Sequence, residues 1–416
     1  MENDDSTLRY TVTKMGRSRG RPGEGGIVWP ARHLSKNIGP RPPGSQAERS
    51  ASHYFAKELK ALGFAPEAQR FKTPSTTAWS EFFVHLITIV GVLTFPVFTH
   101  LSFILVLLGF FLFLLEQYGR SPFSWLQRHH PSENIICKIN PLRDRHRVVV
   151  IAAHIDSPRS AFYYRPGIVN FFRISFLLDF FCHAGLFMLF TFAYGGYLLN
   201  MDQDILNFLW LIGLALTLIP FLSMIALFCK ATLGKATPGG NDNASGVAVL
   251  LELARLFSHR LPIHTEVWLV STGASDAGCL GIRRLMRENR SQLRGAYFII
   301  LDQVGRGFPV CYRREGRLIP FRPNRILLSA AKDVSKNQTP YHAGFIRNNL
   351  YISEGFQLLS RGKKALTVSS RDKSRYPLYW RWEKDGYQNV DPRSLRLTFD
   401  FIRALIDNLD RRGKKK

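Results

Sequence analysis

Two long apolar runs dominate the pattern of hydrophobic and polar positions along this chain. The first covers residues 82–115 and is interrupted near its middle by Pro96 and the polar segment THLS. The second covers residues 174–229 and is divided by NMDQD at 200–204. One membrane span needs roughly 20 residues, so each run is long enough for two helices joined by a turn. The pattern therefore predicts about four transmembrane helices, inserted as two hairpins.

A buried core helix for each run is the alternative, and the length and low charge of the runs disfavour it. Asp179 and His183 are ionisable residues inside the third apolar segment, at helical spacing. We expect them to face each other or a neighbouring helix, and a functional relay is the alternative.

The remaining chain forms three blocks with shorter periodic patterns. The last block alternates short apolar strands, such as TEVWLVST and GAYFIILDQVG, with amphipathic helices, such as SLRLTFDFIRALIDNL. The middle block contributes the strand RVVVIAAHIDS. This alternation predicts an α/β fold in which a mostly parallel sheet is flanked by helices.

The predicted organisation has seven segments. Three of them, the soluble parts other than the two tails, build one domain. The segments are a disordered basic tail (1–28), the N-terminal part of the domain (29–80), a first transmembrane hairpin (81–116), the central part of the domain (117–173), a second transmembrane hairpin (174–229), the main part of the domain (230–410) and a basic tail (411–416).

The charge distribution indicates a membrane setting. The chain has a net charge of +25, and no zinc-finger or RNA-recognition signature accompanies it, so we expect no nucleic-acid partner. The two hairpin turns lack Lys and Arg, whereas all soluble blocks are rich in both. The positive-inside rule then predicts a multi-pass protein of the cell membrane whose soluble domain is cytoplasmic. The expected partners are the lipid bilayer, its anionic surface and a peptide ligand.

Polar residues cluster where the predicted strands end, which is the ligand-binding edge of such a sheet. They are His154, Asp156, Asp276 and Asp302, and Asp242 joins them from the glycine-rich turn PGGNDNASG before a helix. One strand-end Asp is more often a helix cap. One imidazole with several converging carboxylates, however, suits a zinc site.

These segments together resemble metallopeptidase family 28, the co-catalytic zinc exopeptidases that include aminopeptidases, glutaminyl cyclases and the transferrin receptor. AAHIDS resembles the family's His-x-Asp strand, GGNDNASGVAVLLELAR its bridging-Asp motif, TGASDAGCLGIRRL its Glu-Glu corner and IILDQVG a later Asp strand. YPLYWRWEKDGYQNVD resembles a segment where the family usually places a His. The resemblance covers nearly all of the soluble chain and implies that its three blocks lie in one compartment.

The resemblance implies a first metal held by His154, Asp242 and Asp302, all of which this chain has. Asp156 would orient His154 through a hydrogen bond. The second metal would share Asp242 and take a Glu and a His as further ligands. We expect one bound zinc or none, for the reasons that follow.

Three family positions are changed here. Ser275 replaces the general-base Glu, and the loss of a general base costs about 10²–10⁴-fold in rate. Asp276 is a doubtful ligand because it is one methylene shorter than Glu. Arg381 replaces the His; it has no lone pair and stays charged. We predict that Arg381 pairs with Asp276 in the place of the second metal, and a solvent-facing Arg381 is the alternative.

Three functions are compatible with these features. The first is a membrane-anchored zinc exopeptidase-like protein of aminopeptidase type that is catalytically impaired or inactive. The second is an active single-zinc peptide hydrolase in which Arg381 stabilises the oxyanion or holds a substrate carboxylate. The third is a non-enzymatic membrane binding or scaffold protein. Glu354 and Glu383 are candidates for a substitute base, whereas His342 and His264 are expected to be surface or packing residues.

Overall fold

A computed structural model describes residues 26–337, 343–372 and 376–412 of the chain. One eight-stranded sheet forms its centre. Its strands are β1 (Glu67–Thr73), β2 (His130–Ile139), β3 (Arg147–His154), β4 (Thr265–Thr272), β5 (Tyr297–Leu301), β6 (Phe308–Glu315), β7 (Gly344–Asn348) and β8 (Lys364–Arg371). The strand order is β1-β2-β4-β3-β5-β8-β6-β7. The four strands β4, β3, β5 and β8 run parallel to one another. Strand β1 is antiparallel to β2, β2 is antiparallel to β4, and β6 is antiparallel to β8, so the sheet is mixed.

Eleven α-helices are described around this sheet. They are α1 (Trp29–Arg32), α2 (Gln46–Ala61), α3 (Ala78–Leu93), α4 (Thr99–Gln117), α5 (Phe172–Leu198), α6 (Gln203–Leu233), α7 (Ser245–His259), α8 (Leu280–Glu288), α9 (Arg325–Asn337), α10 (Glu354–Leu359) and α11 (Pro392–Arg412). Short 3-10 or π-helical segments lie at His33–Ile38, Ser124–Leu126, Phe162–Tyr164, Ile168–Phe171, Gly240–Ala244 and Tyr387–Asn389.

The central strand β3 is apolar along most of its length because both of its faces are covered. Val149 and Ile151 face a core that includes α2, α7, α9 and α11. Val148 and Val150 face the opposite core, built with α8 and α10. Successive side chains of a strand point to opposite faces, so a strand covered on both sides must be apolar throughout. The α/β fold predicted from the sequence is confirmed.

The two apolar runs form the helix pairs α3–α4 and α5–α6. Three helical segments are long and apolar enough to cross a membrane, namely Thr99–Gln117, Ile168–Leu198 and Gln203–Leu233. The fourth, α3, has 16 residues, which at 1.5 Å per residue is about 24 Å. The first pair connects β1 with β2, and the second returns to the same domain before α7. Because each pair starts and ends at one sheet, a crossing made by its first helix must be reversed by its second.

The outer surfaces of these helices are apolar. Large exposed side chains include Phe181, Met188, Phe192, Phe208 and Leu218, each more than half exposed. Inside the bundle, α3 and α4 approach closely at Gly109, where an added Cβ would lie 2.2 Å from the Thr88 hydroxyl oxygen. Small residues at such crossings are typical of helix pairs in membranes.

Several predicted boundaries shift in the structure. The second helix pair begins at Phe172 and ends at Leu233, so the predicted end at 229 is four residues early. Helix α11 runs to Arg412, so residues 411 and 412, predicted as tail, are helical. Residues 1–25 and 413–416, which hold most of the two predicted tails, lie outside the described residues.

Candidate metal centre and the adjacent ion pair

Parallel strands bring the predicted site residues to one edge of the sheet. His154 is the last residue of β3, and Asp302 directly follows β5. Asp242 lies in Gly240–Ala244, the segment that leads into α7. Ser275 and Asp276 follow β4 in the loop before α8. The structure therefore brings all of these predicted positions together.

His154, Asp242 and Asp302 form a buried cluster whose donor atoms all lie within 4.8 Å of one another. The Nε2 atom of His154 is 3.3 Å from Asp242 Oδ1 and 3.8 Å from Asp302 Oδ1. Asp302 Oδ1 is buried and has no hydrogen-bond partner among the described residues. A buried carboxylate oxygen without a partner is costly unless a cation or proton meets it.

The orientation of His154 suits metal binding. Its Nδ1 atom lies 3.0 Å from the backbone carbonyl of Asp156. Because a carbonyl only accepts, Nδ1 carries a proton, and Nε2 faces the two carboxylates and is the nitrogen that a metal ion would take. The carboxylate of Asp156 lies 3.5 Å from Nδ1 and accepts the backbone N–H groups of Ser275 and Asp276, each at 2.9 Å. Asp156 thus fixes both the imidazole of His154 and the loop after β4 that carries Ser275 and Asp276, which we call the corner after β4.

Burial and opposite charge together set the pKa values in this cluster. Burial alone would lower the pKa of His154, but hydrogen bonds with Asp156, Asp242 and Asp302 raise it well above its usual value. Burial raises the pKa of Asp242. Burial would also raise the pKa of Asp302, yet its contacts with His154 and Tyr351 lower it. A cationic centre is therefore favoured at the point where these side chains meet.

The donor set fits a zinc ion. Zinc accepts imidazole nitrogen and carboxylate oxygen at about 2.0–2.2 Å in tetrahedral geometry, which separates ligand atoms by about 3.4 Å. The separations of 3.3 and 3.8 Å around His154 Nε2 are close to this value. The partnerless Asp302 Oδ1 would gain a ligand bond.

An ion pair joins Arg381 and Asp276, the two residues that the family resemblance assigned to the second metal. Arg381 Nη1 lies 2.9 Å from Asp276 Oδ1, and both side chains are largely buried. The backbone N–H of Arg159 donates to the other oxygen, Asp276 Oδ2, at 3.3 Å. The guanidinium also lies 5.8 Å from the ring centroids of Tyr164 and Trp380. Burial would lower the pKa of Arg381, but Asp276 raises it well above its usual value, so this cation is permanent.

Asp385 and Tyr351 are two supports of the cluster that sequence analysis missed. Asp385 accepts the backbone N–H groups of Asn241 and Asp242, both at 2.9 Å, and burial raises its pKa to about 7. The Tyr351 hydroxyl donates to Asp302 Oδ2 at 2.7 Å. The only signal for Asp385 was its place in WEKDGYQN, near the segment where a His was expected.

The N-terminal block contributes two more supports. Glu48 of α2 accepts the backbone N–H of Ala274 at 2.8 Å, which holds the corner after β4, and burial raises the pKa of Glu48 to about 8. Arg41 is fully buried and donates to five backbone carbonyls around the site, those of Leu34, Gly39, Ile155, Pro238 and Gly239. Burial lowers the pKa of Arg41 to about 10. Apart from Leu34 and Gly39, these partners of Glu48 and Arg41 lie more than 100 positions away along the chain, so no spacing rule marks them.

The two candidate bases and the two further histidines named from the sequence differ in where they lie. Glu354 is buried and lines the small cavity at the metal cluster, whereas Glu383 is exposed. His264 stacks on His146 with ring centroids 4.3 Å apart and takes no part in the site. His342 lies outside the described residues.

A larger cavity of about 420 Å³ extends from this site between the apolar helices α3 to α6. Ser275, Asp276, Tyr351, Ile352 and Arg381 line both cavities. Its other walls come mainly from the four helices α3 to α6 and from the aromatic segment at 162–172. The ion pair therefore faces a cavity whose walls are largely apolar.

Comparison with known structures identifies the fold. The chain is similar to a Zn-dependent exopeptidase from Parabacteroides distasonis, with a TM-score of 0.51, 16% identity and coverage of 92% of this chain and 97% of the other. It is similar to a glutaminyl cyclase from Bacteroides thetaiotaomicron (TM-score 0.54, 16% identity, 92% and 96% coverage). It is also similar to a zinc aminopeptidase from Bacillus subtilis (TM-score 0.53, 13% identity, 91% and 93% coverage). The molecule is thus a protein of the zinc exopeptidase fold.

Residues 229–406 match the model of peptidase family M28. A segment of 69 residues is 44% identical to a probable zinc metalloprotease of Pyrenophora tritici-repentis, and the match covers 16% of each protein. The resemblance to this family that the sequence motifs indicated is therefore confirmed over residues 229–406.

Glu315 connects this edge of the sheet to Glu354. Its carboxylate accepts the hydroxyl protons of Ser353 and, at 2.8 Å, of Thr367. Ser353 in turn caps α10, the helix that begins with Glu354. Burial raises the pKa of Glu315 to about 7, so the folded protein binds this proton more tightly than the unfolded chain.

Because the folded-state pKa is the higher one, protonated Glu315 stabilises the fold at low pH. This contribution is lost as the pH rises from about 4.5 to about 7. In Glu315→Gln, which stays neutral, we expect the pH dependence of the free energy of unfolding in this window to shrink by up to about 3 kcal/mol. Denaturant unfolding in detergent measures it, with exposed Glu67→Gln as the control. An unchanged pH dependence in Glu315→Gln would contradict the assignment.

Proposed function

We propose that this protein is a membrane-anchored zinc exopeptidase-like protein that keeps one metal site and has lost two-metal peptide hydrolysis. The observation that carries this proposal is the buried ion pair of Arg381 with Asp276. A guanidinium about 4 Å from a divalent ion would repel it by roughly 8 kcal/mol at an effective dielectric constant near 20. The pair therefore excludes a second zinc.

The residues of this chain determine what a single zinc can achieve. His154, Asp242 and Asp302 would hold the ion, which would supply a Lewis acid for a peptide carbonyl group. Ser275, at the general-base position, is too weak a base to take a proton near neutral pH. Binding of a peptide terminus is thus retained, and its hydrolysis is impaired.

We further propose that the helices α3 to α6 anchor the domain in the cell membrane. Three of these helices are long and apolar enough to cross, and both pairs return to the same sheet. The Lys and Arg distribution along the chain favours a cytoplasmic domain, whose basic surface would lie against anionic lipid. We propose no nucleic-acid partner.

The cavity between the helices and the site suggests the class of ligand. Phe113, Phe172, Phe176 and Leu227 are among its apolar walls, and Arg381 lies at its polar end. We propose that it accepts the terminus of an apolar or membrane-associated peptide, with a polar terminal group next to the ion pair.

A single-metal hydrolase is the second candidate, and Glu354 is the observation that favours it. Its Oε1 accepts a hydrogen bond from Thr272 at 2.7 Å, while Oε2 is buried and has no hydrogen-bond partner in the described part of the chain. Burial raises the pKa of Glu354 to about 7, which suits a general base near neutral pH. Glu354 lines the same small cavity as the metal ligands.

The first prediction concerns the metal at this site. We expect purified protein to bind zinc at His154, Asp242 and Asp302, and His154→Ala to lose one zinc per chain because an imidazole ligand is removed. His264→Ala, which changes a buried histidine outside the site, should keep the full content. Elemental analysis in detergent measures both. Equal zinc content in wild type and His154→Ala would refute zinc binding at His154, Asp242 and Asp302.

The second prediction concerns the ion pair. Combining Ser275→Glu, Asp276→Glu and Arg381→His removes the cation and restores the family's ligand and base types. We expect one additional zinc per chain and release of amino acids from peptide reporters at a rate at least about 10²-fold above wild type. The control is Ser275→Glu alone, which leaves Arg381 in place and should not gain the second ion. A triple variant with unchanged metal content would count against the exclusion of the metal by Arg381.

The third prediction separates the two candidate functions. If wild type hydrolyses peptide reporters, Glu354→Gln should lower kcat by about 10²–10⁴-fold while leaving the zinc content unchanged, because the substitution removes only the base. Exposed Glu383→Gln should retain wild-type rates. Absence of turnover in wild type at full zinc occupancy would eliminate the hydrolase and leave the binding function.

A further inference from the structure

A second group of ligand-type side chains lies among the membrane helices. It consists of His85 on α3 and of Asp179 and His183 on α5, and no more than 7% of any of these residues is exposed. One donor atom from each lies within 4.8 Å of the other two. We propose that this cluster binds a divalent zinc-type metal ion, independently of the site at His154.

Both imidazoles are oriented as metal ligands are. His85 Nδ1 lies 2.8 Å from the carbonyl oxygen of Glu81, and His183 Nδ1 lies 2.9 Å from that of Asp179. Each Nδ1 therefore carries the proton, because a carbonyl only accepts. The Nε2 atom of each ring is left with its lone pair, and a backbone carbonyl that fixes the opposite nitrogen is typical of ligating histidines.

Hydrogen bonding within the cluster does not satisfy it. A protonated His85 would account for its 3.1 Å contact from Nε2 to Asp179 Oδ2. It would still leave His183 Nε2 buried without a hydrogen-bond partner among the described residues. Asp179 Oδ1 has no hydrogen bond within 3.5 Å there either, although His183 Nδ1 lies 3.6 Å away and the Ser223 side chain also interacts with this carboxylate. Unpaired polar atoms inside apolar helices are costly and mark functional positions. One cation between the three side chains would engage both histidines and the carboxylate.

The geometry leaves room for such an ion with little movement. Asp179 and His183 are four residues apart and lie on the same face of α5, and His85 reaches them from α3. The 3.1 Å separation of His85 Nε2 from Asp179 Oδ2 is near the roughly 3.4 Å of a tetrahedral zinc site. The ring of His183 is stacked on Phe113 with centroids 4.3 Å apart, which holds it in place.

The site also has an entry path and an open coordination position. His85 and Asp179 line the cavity of about 420 Å³ that extends to Arg381. Two imidazoles and one carboxylate provide three ligands, so a zinc ion there would keep a fourth position for water or for a ligand group. The ion would link α3 to α5 and would face the same cavity as the ion pair.

The test is the zinc stoichiometry of the detergent-purified full chain, because each site has its own variant. With both sites loaded we expect two zinc ions per chain in wild type, one in His154→Ala, one in His183→Asn and none in the double variant. His100→Asn is the matched control, since His100 belongs to the same helix bundle but bonds to Tyr194 instead. It should retain two.

The outcomes distinguish the two proposals. Wild type with one zinc that His154→Ala removes would overturn the membrane-helix site and leave the proposed function standing. If wild type binds one zinc that survives in His154→Ala but is lost in His183→Asn, the site at His154 is refuted and the membrane-helix site is supported. Size-exclusion chromatography checks folding, and His85→Gln replaces His183→Asn if that variant aggregates.

A spectroscopic readout identifies the ligands without any assay of activity. His154→Ala loaded with Co²⁺ isolates the membrane-helix site, and we expect visible absorption bands of a four-coordinate ion. Adding His183→Asn should weaken Co²⁺ binding at least about 10-fold and remove these bands. Bands that persist in the double variant, or that never form in His154→Ala, would overturn the proposal.

Discussion

The candidate site depends above all on the buried residue Asp156. Its carbonyl fixes the tautomer of His154, and its carboxylate holds the backbone N–H groups of Ser275 and Asp276. One residue therefore ties the end of β3 to the corner after β4. Because these strands are parallel neighbours, that link places the imidazole and the corner side by side at one sheet edge. The metal cluster and the ion pair both rest on this arrangement.

The ion pair gives the site a cation that belongs to the chain and cannot exchange with solvent. A divalent ion exchanges with solvent and needs lone-pair donors, whereas Arg381 is a permanent cation covalently attached to the chain. Its contacts with Asp276 and with the ring of Tyr164 hold it in place. The loop after β4 is thus held by an ion pair between a carboxylate and a guanidinium. This explains how the fold is kept while the proposed hydrolytic machinery is reduced.

The helix pairs are inserted where they can affect the site. The second pair, α5 and α6, occupies the connection between β3 and the segment Gly240–Ala244, so it leaves the sheet at the edge that carries His154 and Asp242. The first pair packs against it, and together they enclose the cavity that reaches Arg381. The apolar helices α3 to α6 are therefore walls of this cavity in addition to their proposed role as an anchor.

The sequence by itself determined the α/β class, the two apolar helix pairs and the residues His154, Asp242 and Asp302. These features follow from local rules, because side-chain periodicity sets the elements and parallel strands carry their end residues to one edge. Only the tertiary structure decided the supports from distant segments, such as Asp385 and Glu48, and the meeting of His85 with Asp179 and His183. Contacts between residues far apart in sequence have no spacing pattern, since packing of whole elements creates them.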